Sequence, residues 1–149
     1  MSDPRELYQQ VIIEHNKKPR NFGELEPCTH HAHGLNPLCG DDIVLKLVVE
    51  EGVVRDIRFT GHGCAISKAS SSLMTVNVKG KPVADAEVLV EQFRAMIRGS
   101  LDTATDPNVL GRLSLFQGVR DLPSRVKCAV LPWATLHSAL HGEDIVSTE

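Results

Sequence analysis

The stretch that decides the fold is residues 41–61, DDIVLKLVVEEGVVRDIRFTG. Apolar side chains occupy every second position of its first half, at Ile43, Leu45, Leu47 and Val49. The alternation resumes after a short break, with Val53, Ile57 and Phe59 as the expected inward residues. Period-two alternation is typical of strands with one buried face, and the intervening Glu51 and Gly52 suit a tight turn. We therefore predict an antiparallel hairpin.

Helical patterns flank this hairpin on both sides. We predict a first helix over residues 4–16, capped by Ser2 or Asp3. Two further helices are expected over residues 67–80 and 82–99, each ended by a glycine. Their apolar faces are expected to comprise Ala69, Leu73, Val76, Ala86, Leu89, Val90, Phe93 and Ile97.

The remaining segments are less regular. Residues 24–38 contain prolines, a glycine and three histidines, and we interpret them as an irregular arm. Residues 100–121 are expected to hold only short helical pieces, around 110–116. A last helix is expected to start at Pro123, with Ser124 as its N-cap. Because strands and helices are segregated along the chain, the pattern predicts an α+β fold, a small antiparallel sheet covered by helices.

Length and composition narrow the class of protein. The chain has 149 residues, the size of one domain spanning residues 1–149, and a net charge of −3 without a basic block. We therefore expect no nucleic-acid partner. The first residues lack the features of a signal peptide, and no stretch approaches the ~18 apolar residues of a membrane span. These features predict a cytoplasmic protein without a membrane partner, in which cysteines serve as metal ligands or reactive thiols rather than disulfides.

Metal-binding side chains are expected to meet at the open end of the hairpin. Cys39 and Asp41 lie at the entry to the first strand and Cys64 follows the second, so closing the hairpin brings all three together. Cys128 lies in the expected first turn of the last helix, where the helix dipole and neighbouring cations favour a thiolate, and the alternative is a buried apolar cysteine. Thiolates suit zinc and iron–sulfur clusters, and a carboxylate is a more exchangeable ligand. The set therefore suggests a metal site that can open.

Several neighbouring residues admit two interpretations. Cys28 with His30, His31 and His33 could bind a second metal ion, but we favour a solvated loop because no predicted element frames the segment. His62 could be a spare ligand, and an exposed loop histidine is the simpler interpretation.

Residues around Cys128 remain open in the same way. Arg125 could anchor the loop of Cys39 or contact a partner, and Lys127 could steer a sulfur or iron species or be solvated. Pro132 removes a helical hydrogen bond to the Cys128 carbonyl, so the last helix should kink there or have a separate first turn.

Three segments resemble the cysteine motifs of the NifU/IscU-type iron–sulfur cluster assembly proteins: NPLCGDD at 36–42, FTGHGCAISKASSSLM at 59–74 and SRVKCAVLPW at 124–133. The stretch LYQQVIIEHNKKPRNFG at 7–23 resembles the same family, so the likeness covers most of the chain. IscU-like members carry a histidine directly before the third cysteine, where this chain has Lys127. That difference and the extra segment at 99–121 make the sequence similar to the SufU branch.

The resemblance implies a function and a partner. It implies a zinc ion held by Cys39, Asp41, Cys64 and Cys128, and a pyridoxal-phosphate cysteine desulfurase of the SufS type as sulfur donor. Cys39 is the expected catalytic acceptor of persulfide sulfur, because it lies in a glycine-flanked turn that can leave the metal with little strain. Downstream assembly or recipient proteins would take the product.

Two alternatives use the same four residues. The chain could be a scaffold on which a transient 2Fe–2S cluster is built and handed on, since sulfur-rich tetrahedral sites suit iron as well as zinc. It could instead be a purely structural zinc module, for which an aspartate ligand is atypical.

Overall fold

The predicted hairpin forms one side of a four-stranded sheet. In the computed structural model, which describes residues 4–143 and 145–147, the sheet has the order β3-β2-β1-β4. Its strands are β1 (His30–Asn36), β2 (Asp41–Glu50), β3 (Val53–His62) and β4 (Ile145–Ser147). The β1–β2 and β2–β3 pairs are antiparallel, whereas β4 lies parallel to β1. The hairpin prediction is confirmed.

The turn of the hairpin lies where the sequence placed it. Glu51 and Gly52 both have left-handed backbone angles, with φ of 52° and 75°, as a two-residue turn between twisted strands requires. The ladder shifts register between Val48 and Val49. Consequently Val54 is fully buried and Val53 only half-buried, so the prediction of Val53 as the inward residue was wrong. One extra residue in a strand reverses the faces beyond it.

The prediction of an irregular arm over residues 24–38 was also wrong, because β1 occupies the second half of that segment. Ala32, Gly34 and Asn36 are its inward residues, and small or polar side chains hide the alternation from a hydrophobicity pattern. Gly34 lies against the last helix so closely that a Cβ there would stand 2.0 Å from the Thr135 Oγ1 atom. The pattern was therefore missed because close packing selects against large residues.

Helices cover the sheet, which confirms the α+β class. They are α1 (Pro4–Lys17), α2 (Ala65–Val78), α3 (Val83–Arg98) and α4 (Pro123–Leu140), with a 3₁₀ segment at Gly111–Asp121 between the last two. The predicted caps Ser2 and Asp3 lie outside the described residues. None of the described helices is long and apolar enough to cross a membrane.

The predicted stripe of α3 is buried, and the helix ends at Gly99 in the left-handed conformation, with φ of 86°. In α2, however, Val76 is 49% exposed, so its assignment to the buried face was wrong. The buried face of α2 is instead rich in small polar residues: Ser67, Ser70, Ser71, Ser72 and Thr75. This composition lets α2 pack closely against both α1 and α4.

Helix α4 begins and continues differently from the prediction. Leu122 is the N-cap and Pro123 the first helical residue, so Ser124 lies inside the helix and was wrongly predicted as the cap. The helix runs without a break through the buried Pro132, which excludes a separate first turn. Pro132 has no backbone N–H, so the Cys128 carbonyl receives no helical hydrogen bond from it. The neighbouring Ala129 carbonyl accepts a hydrogen bond from the Ser70 hydroxyl of α2 at 2.7 Å.

Candidate metal centre

Three of the predicted ligands meet at the open end of the hairpin. The Cys39 Sγ, a carboxylate oxygen of Asp41 and the Cys128 Sγ all lie within 4.8 Å of one another. In a tetrahedral zinc site with Zn–S bonds of about 2.3 Å, the donor atoms lie about 3.7 Å from one another. A small inward movement of the three side chains would therefore bring their donor atoms to the distances at which they bind a zinc ion. Chemistry and spacing of the donor set therefore fit zinc.

Cys39 lies in the turn between β1 and β2. Its backbone N–H donates to the Asn36 carbonyl at 3.2 Å, and its thiol donates to the Ser124 carbonyl at 3.7 Å. The next residue, Gly40, has a φ of 72°, a conformation that glycine adopts without strain. Cys39 is half-buried, so its sulfur can reach both the cluster and a molecule approaching from outside.

Asp41 is the buried centre of the hydrogen-bond network. It is 2% exposed and accepts hydrogen bonds from the Cys64 N–H at 2.8 Å, the Ser67 hydroxyl at 3.2 Å and the Asn36 side chain at 3.1 Å. Gly63 makes room for it, because a Cβ on Gly63 would stand 2.6 Å from the carboxylate. The carboxylate is thus fixed in orientation before any metal binds.

Cys64 lies beside the group of three rather than within it. It is the N-cap of α2, and its Sγ accepts a hydrogen bond from the Ser67 N–H at 3.5 Å. Its backbone is bonded to Asp41, and its charge contributes to the raised pKa of both Cys128 and Arg125. The predicted four-residue ligand set, including Cys64, remains a prediction.

Cys128 is in a different environment from the one predicted. It is the sixth residue of α4, not in the first turn, and it is completely buried. Burial raises the pKa of its thiol far above the ordinary value, and the adjacent Cys39 and Asp41 act in the same direction. The expectation of a thiolate from the local helix dipole was therefore wrong. A metal ion bound between Cys128, Cys39 and Asp41 would favour the thiolate form of Cys128.

The two cations near Cys128 differ in their surroundings. Arg125 is exposed, and negative charge on the thiols, first of Cys64 and then of Cys128 and Cys39, raises the pKa of its guanidinium. Arg125 therefore lies close enough to the three cysteines for their charges to act on its guanidinium. Lys127 is half-buried and lines a cleft that also contains Arg94 and Arg98 of α3.

Sequence reasoning missed two polar residues at the site. Asn36 is completely buried and donates from its Nδ2 to both the Asp41 Oδ2 and the Cys128 Sγ, while its Oδ1 has no partner among the described residues. An unsatisfied buried acceptor costs about 1–3 kcal/mol. Tyr8 of α1 lies near enough for the charge of Cys64 to act on it, and burial, followed by that charge, raises the pKa of Tyr8 to about 12. In the sequence, Asn36 is the first residue of the motif that contains Cys39 and Tyr8 lies in the stretch 7–23, but neither was predicted as a site residue.

The histidine segment is a strand, which corrects the interpretation of a solvated loop. His30, His31 and His33 all lie on β1, and the His33 Nε2 is paired with the Asp42 carboxylate across the β1–β2 ladder. Within residues 4–143 and 145–147, the group of three or more metal-binding side chains at ligand distance is Cys39, Asp41 and Cys128, without Cys28 or these histidines. His62 is exposed at the end of β3.

The chain matches one known protein family over most of its length. Residues 7–129 match the NifU-like N terminal domain. The chain belongs to this family. The resemblance drawn from the three cysteine motifs is thereby confirmed, and the cluster described above comprises residues from the first and third of those motifs.

Relatives within the NifU-like family include both branches considered above. The chain is 40% identical over 139 residues to the zinc-dependent sulfurtransferase SufU of Bacillus subtilis, covering 93% of this chain and 92% of that protein. It is 38% identical over 134 residues to the iron–sulfur cluster assembly scaffold protein IscU of Thermotoga maritima, covering 90% and 92%.

Solved structures of NifU-like proteins share the fold. The crystal structure of a putative scaffold protein for the SUF system from Fervidobacterium islandicum superimposes with a TM-score of 0.84 at 34% identity, covering 91% of this chain and 98% of that one. The N-terminal part of a NifU-like protein from Brucella abortus superimposes with a TM-score of 0.79 at 24% identity, covering 91% and 93%, and supports the fold alone.

Proposed function

We propose that this protein is a zinc-dependent sulfur acceptor for iron–sulfur cluster assembly. The observation that carries the proposal is the meeting of Cys39, Asp41 and Cys128 within 4.8 Å in a chain of the NifU-like family. Cys64 would complete the set, since its backbone is already bonded to Asp41. When bound, zinc would stabilise the thiols in their deprotonated form.

Cys39 is the proposed acceptor, and the surroundings of the other ligands support this choice. Cys128 is completely buried in a helix, and Cys64 caps α2 through its side chain. Cys39 is half-buried in a turn that contains the left-handed Gly40, so its sulfur can swing outward by local backbone motion.

The proposed step is thiol–persulfide exchange. The Cys39 thiolate attacks the terminal sulfur of a cysteine persulfide on the donor enzyme. A new S–S bond forms at Cys39, the S–S bond of the donor breaks, and the donor cysteine leaves as a thiolate. The terminal sulfur keeps its proton and oxidation level, so no external oxidant or reductant is consumed.

The proposed donor is a SufS-type, pyridoxal-phosphate-dependent cysteine desulfurase. Leu38, 75% exposed, directly precedes Cys39, and Leu122, 47% exposed, precedes α4. With the exposed Arg125, they would give a docking enzyme apolar and cationic contacts around the acceptor sulfur. The free cysteines suit a reducing cytoplasm, and downstream assembly or recipient proteins would receive the sulfur there.

Desulfurase turnover measured with and without the zinc-loaded protein tests the proposal. We expect the wild type to raise the rate and Cys39→Ala to abolish the gain, because the acceptor sulfur is lost. Cys28→Ala is the matched control, since Cys28 is also half-buried but lies outside the cluster. A rate gain that survives in Cys39→Ala, or no gain with the wild type, would reject Cys39 as sulfur acceptor.

Assembly of a 2Fe–2S cluster as cargo is the second candidate function. It is supported by the 38% identity to the IscU scaffold of Thermotoga maritima and by the same sulfur-rich donor set. Anaerobic reconstitution with ferrous iron and sulfide separates the two candidates. A chain that remains without cluster absorbance under these conditions, and yet stimulates the desulfurase, is a sulfur acceptor and not a scaffold.

A further inference from the structure

Asn36 contacts every member of the clustered ligand set. Its backbone carbonyl accepts from the Cys39 N–H at 3.2 Å, and its Nδ2 donates to the Asp41 Oδ2 at 3.1 Å and to the Cys128 Sγ at 3.5 Å. The side chain is completely buried at the end of β1, opposite Asp41 in the β1–β2 register. Its position is therefore set by the sheet and not by the ligands.

The contacts of Asn36 divide the ligands into two kinds. Asp41 and Cys128 are held through their metal-binding atoms, by the two N–H groups of one amide. Cys39 is held only through its backbone, and its sulfur makes a long contact to the Ser124 carbonyl at 3.7 Å. The buried Oδ1 has no partner among the described residues, which shows that the amide is oriented by its donors alone.

We propose that Asn36 is a positioning residue that keeps Asp41 and Cys128 on the metal while Cys39 leaves it. A neutral amide is suited to this task because it donates to two anionic ligands without adding charge to the site. Hydrogen bonds to metal ligands fix their orientation, and their removal typically weakens metal affinity about 10–100-fold. The inference rests on the proposed function, since it assumes that these residues bind zinc.

The test compares Asn36→Leu, Asn36→Asp and Asn36→Ser with the wild type. Leucine has a similar size but no donor, aspartate has the same shape but no donor and a negative charge, and serine retains one hydroxyl donor. We expect zinc affinity, measured by competition with a chelator, to fall about 10–100-fold in Asn36→Leu and further in Asn36→Asp. Asn36→Ser should be intermediate. A residue that only fills space would instead leave the zinc affinity of Asn36→Leu, which has a similar size, close to that of the wild type.

Cobalt substitution provides a spectrum that would stay unchanged if Asn36 had only a structural role. The thiolate-to-cobalt absorption reports how many sulfurs bind the ion, and it should weaken in Asn36→Leu as Cys128 loosens. Asn77→Leu is the matched control, because the Asn77 side chain is also partly buried but donates to the Leu73 carbonyl of its own helix. Unfolding of each metal-free variant checks that the fold is kept, and Asn36→Ser serves if Asn36→Leu does not fold.

The outcomes separate this inference from the proposed function. The role of Asn36 alone would be overturned if the wild type binds zinc tightly, the zinc affinity of Asn36→Leu or Asn36→Ser lies within about twofold of the wild-type value, and the cobalt spectrum of the variant is unchanged. A wild type that binds neither ion would overturn the zinc-dependent function as well.

Discussion

The carboxylate of Asp41 keeps its place because residue 63 has no side chain. A Cβ on Gly63 would stand 2.5 Å from the Ser67 Oγ and 2.6 Å from the Asp41 Oδ1, closer than such atoms pack. The hydrogen bonds from Ser67 and from the Cys64 N–H to that same oxygen leave it no room to move without breaking them. Gly63 is therefore part of the site although it offers no ligand.

Gly63→Ala is expected to weaken zinc binding about 10–100-fold and to lower the free energy of unfolding by about 1–3 kcal/mol, because Asp41 must leave its donors. Chelator competition and denaturant unfolding measure the two effects. Gly118→Ala is the control, since a Cβ there meets no atom within 4 Å. Equal zinc affinity in both variants would contradict the assigned role of Gly63.

At the scale of elements, α1 is attached to α2 by a buried polar contact. His15 is 5% exposed, and its Nδ1 is hydrogen-bonded to the Ser72 hydroxyl at 2.7 Å. The backbone N–H of Arg20 donates a hydrogen bond to the same hydroxyl at 2.8 Å. Burial lowers the pKa of His15, and the positive charges of Arg20 and Arg112 add to this, while Glu14 opposes them. Neutral His15 is thus the form that the folded state prefers.

Because the pKa is lower in the folded chain than the ordinary value of about 6.5, the contribution of His15 to stability is complete above that value. It is lost as the pH falls through the folded pKa. We expect the free energy of unfolding of the metal-free protein to decline from pH 7 to 5, and less steeply in His15→Gln. His62→Gln, which alters an exposed histidine, should follow the wild type. Parallel curves for wild type and His15→Gln would contradict this.

At the scale of the whole molecule, the proposed ligands come from distant parts of the chain. Cys39 lies in the β1–β2 turn, Asp41 is the first residue of β2, Cys64 is the N-cap of α2, and Cys128 lies in α4. An ion bound by these residues cross-links the sheet to two helices. Metal binding should therefore contribute directly to global stability.

Zinc at about 1,000 times its Kd should stabilise the fold by about 4 kcal/mol, which corresponds to a rise in Tm of roughly 8–16 °C. Thermal unfolding with added zinc, and again after chelation, measures the shift. Cys28→Ser should retain it in full because Cys28 lies outside the cluster, and Asp41→Ala should lose most of it. A shift of equal size in Asp41→Ala would show that zinc binds elsewhere.

The sequence by itself determined the hairpin, the class of fold, the course of α3 and the three cysteine motifs. These features are local, because alternation, helical periodicity and turn residues act over a few neighbouring positions. Residues 51 and 52 form the predicted turn, and Gly99 ends α3 as expected. The convergence of Cys39 and Asp41 with the start of α2 also followed, since a hairpin brings its two ends together.

Only the tertiary structure decided the environment of each ligand. The strand at His30–Asn36 escaped prediction because α4 packs against Gly34 and excludes the large apolar residues that mark a strand. Cys128 was expected to be a thiolate from its own helix, but burial, with the adjacent Cys39 and Asp41, raises the pKa of its thiol instead. The hydrogen bond from Asn36 to Cys128 joins residues 92 positions apart, and no local pattern of residues encodes such contacts or the burial that accompanies them.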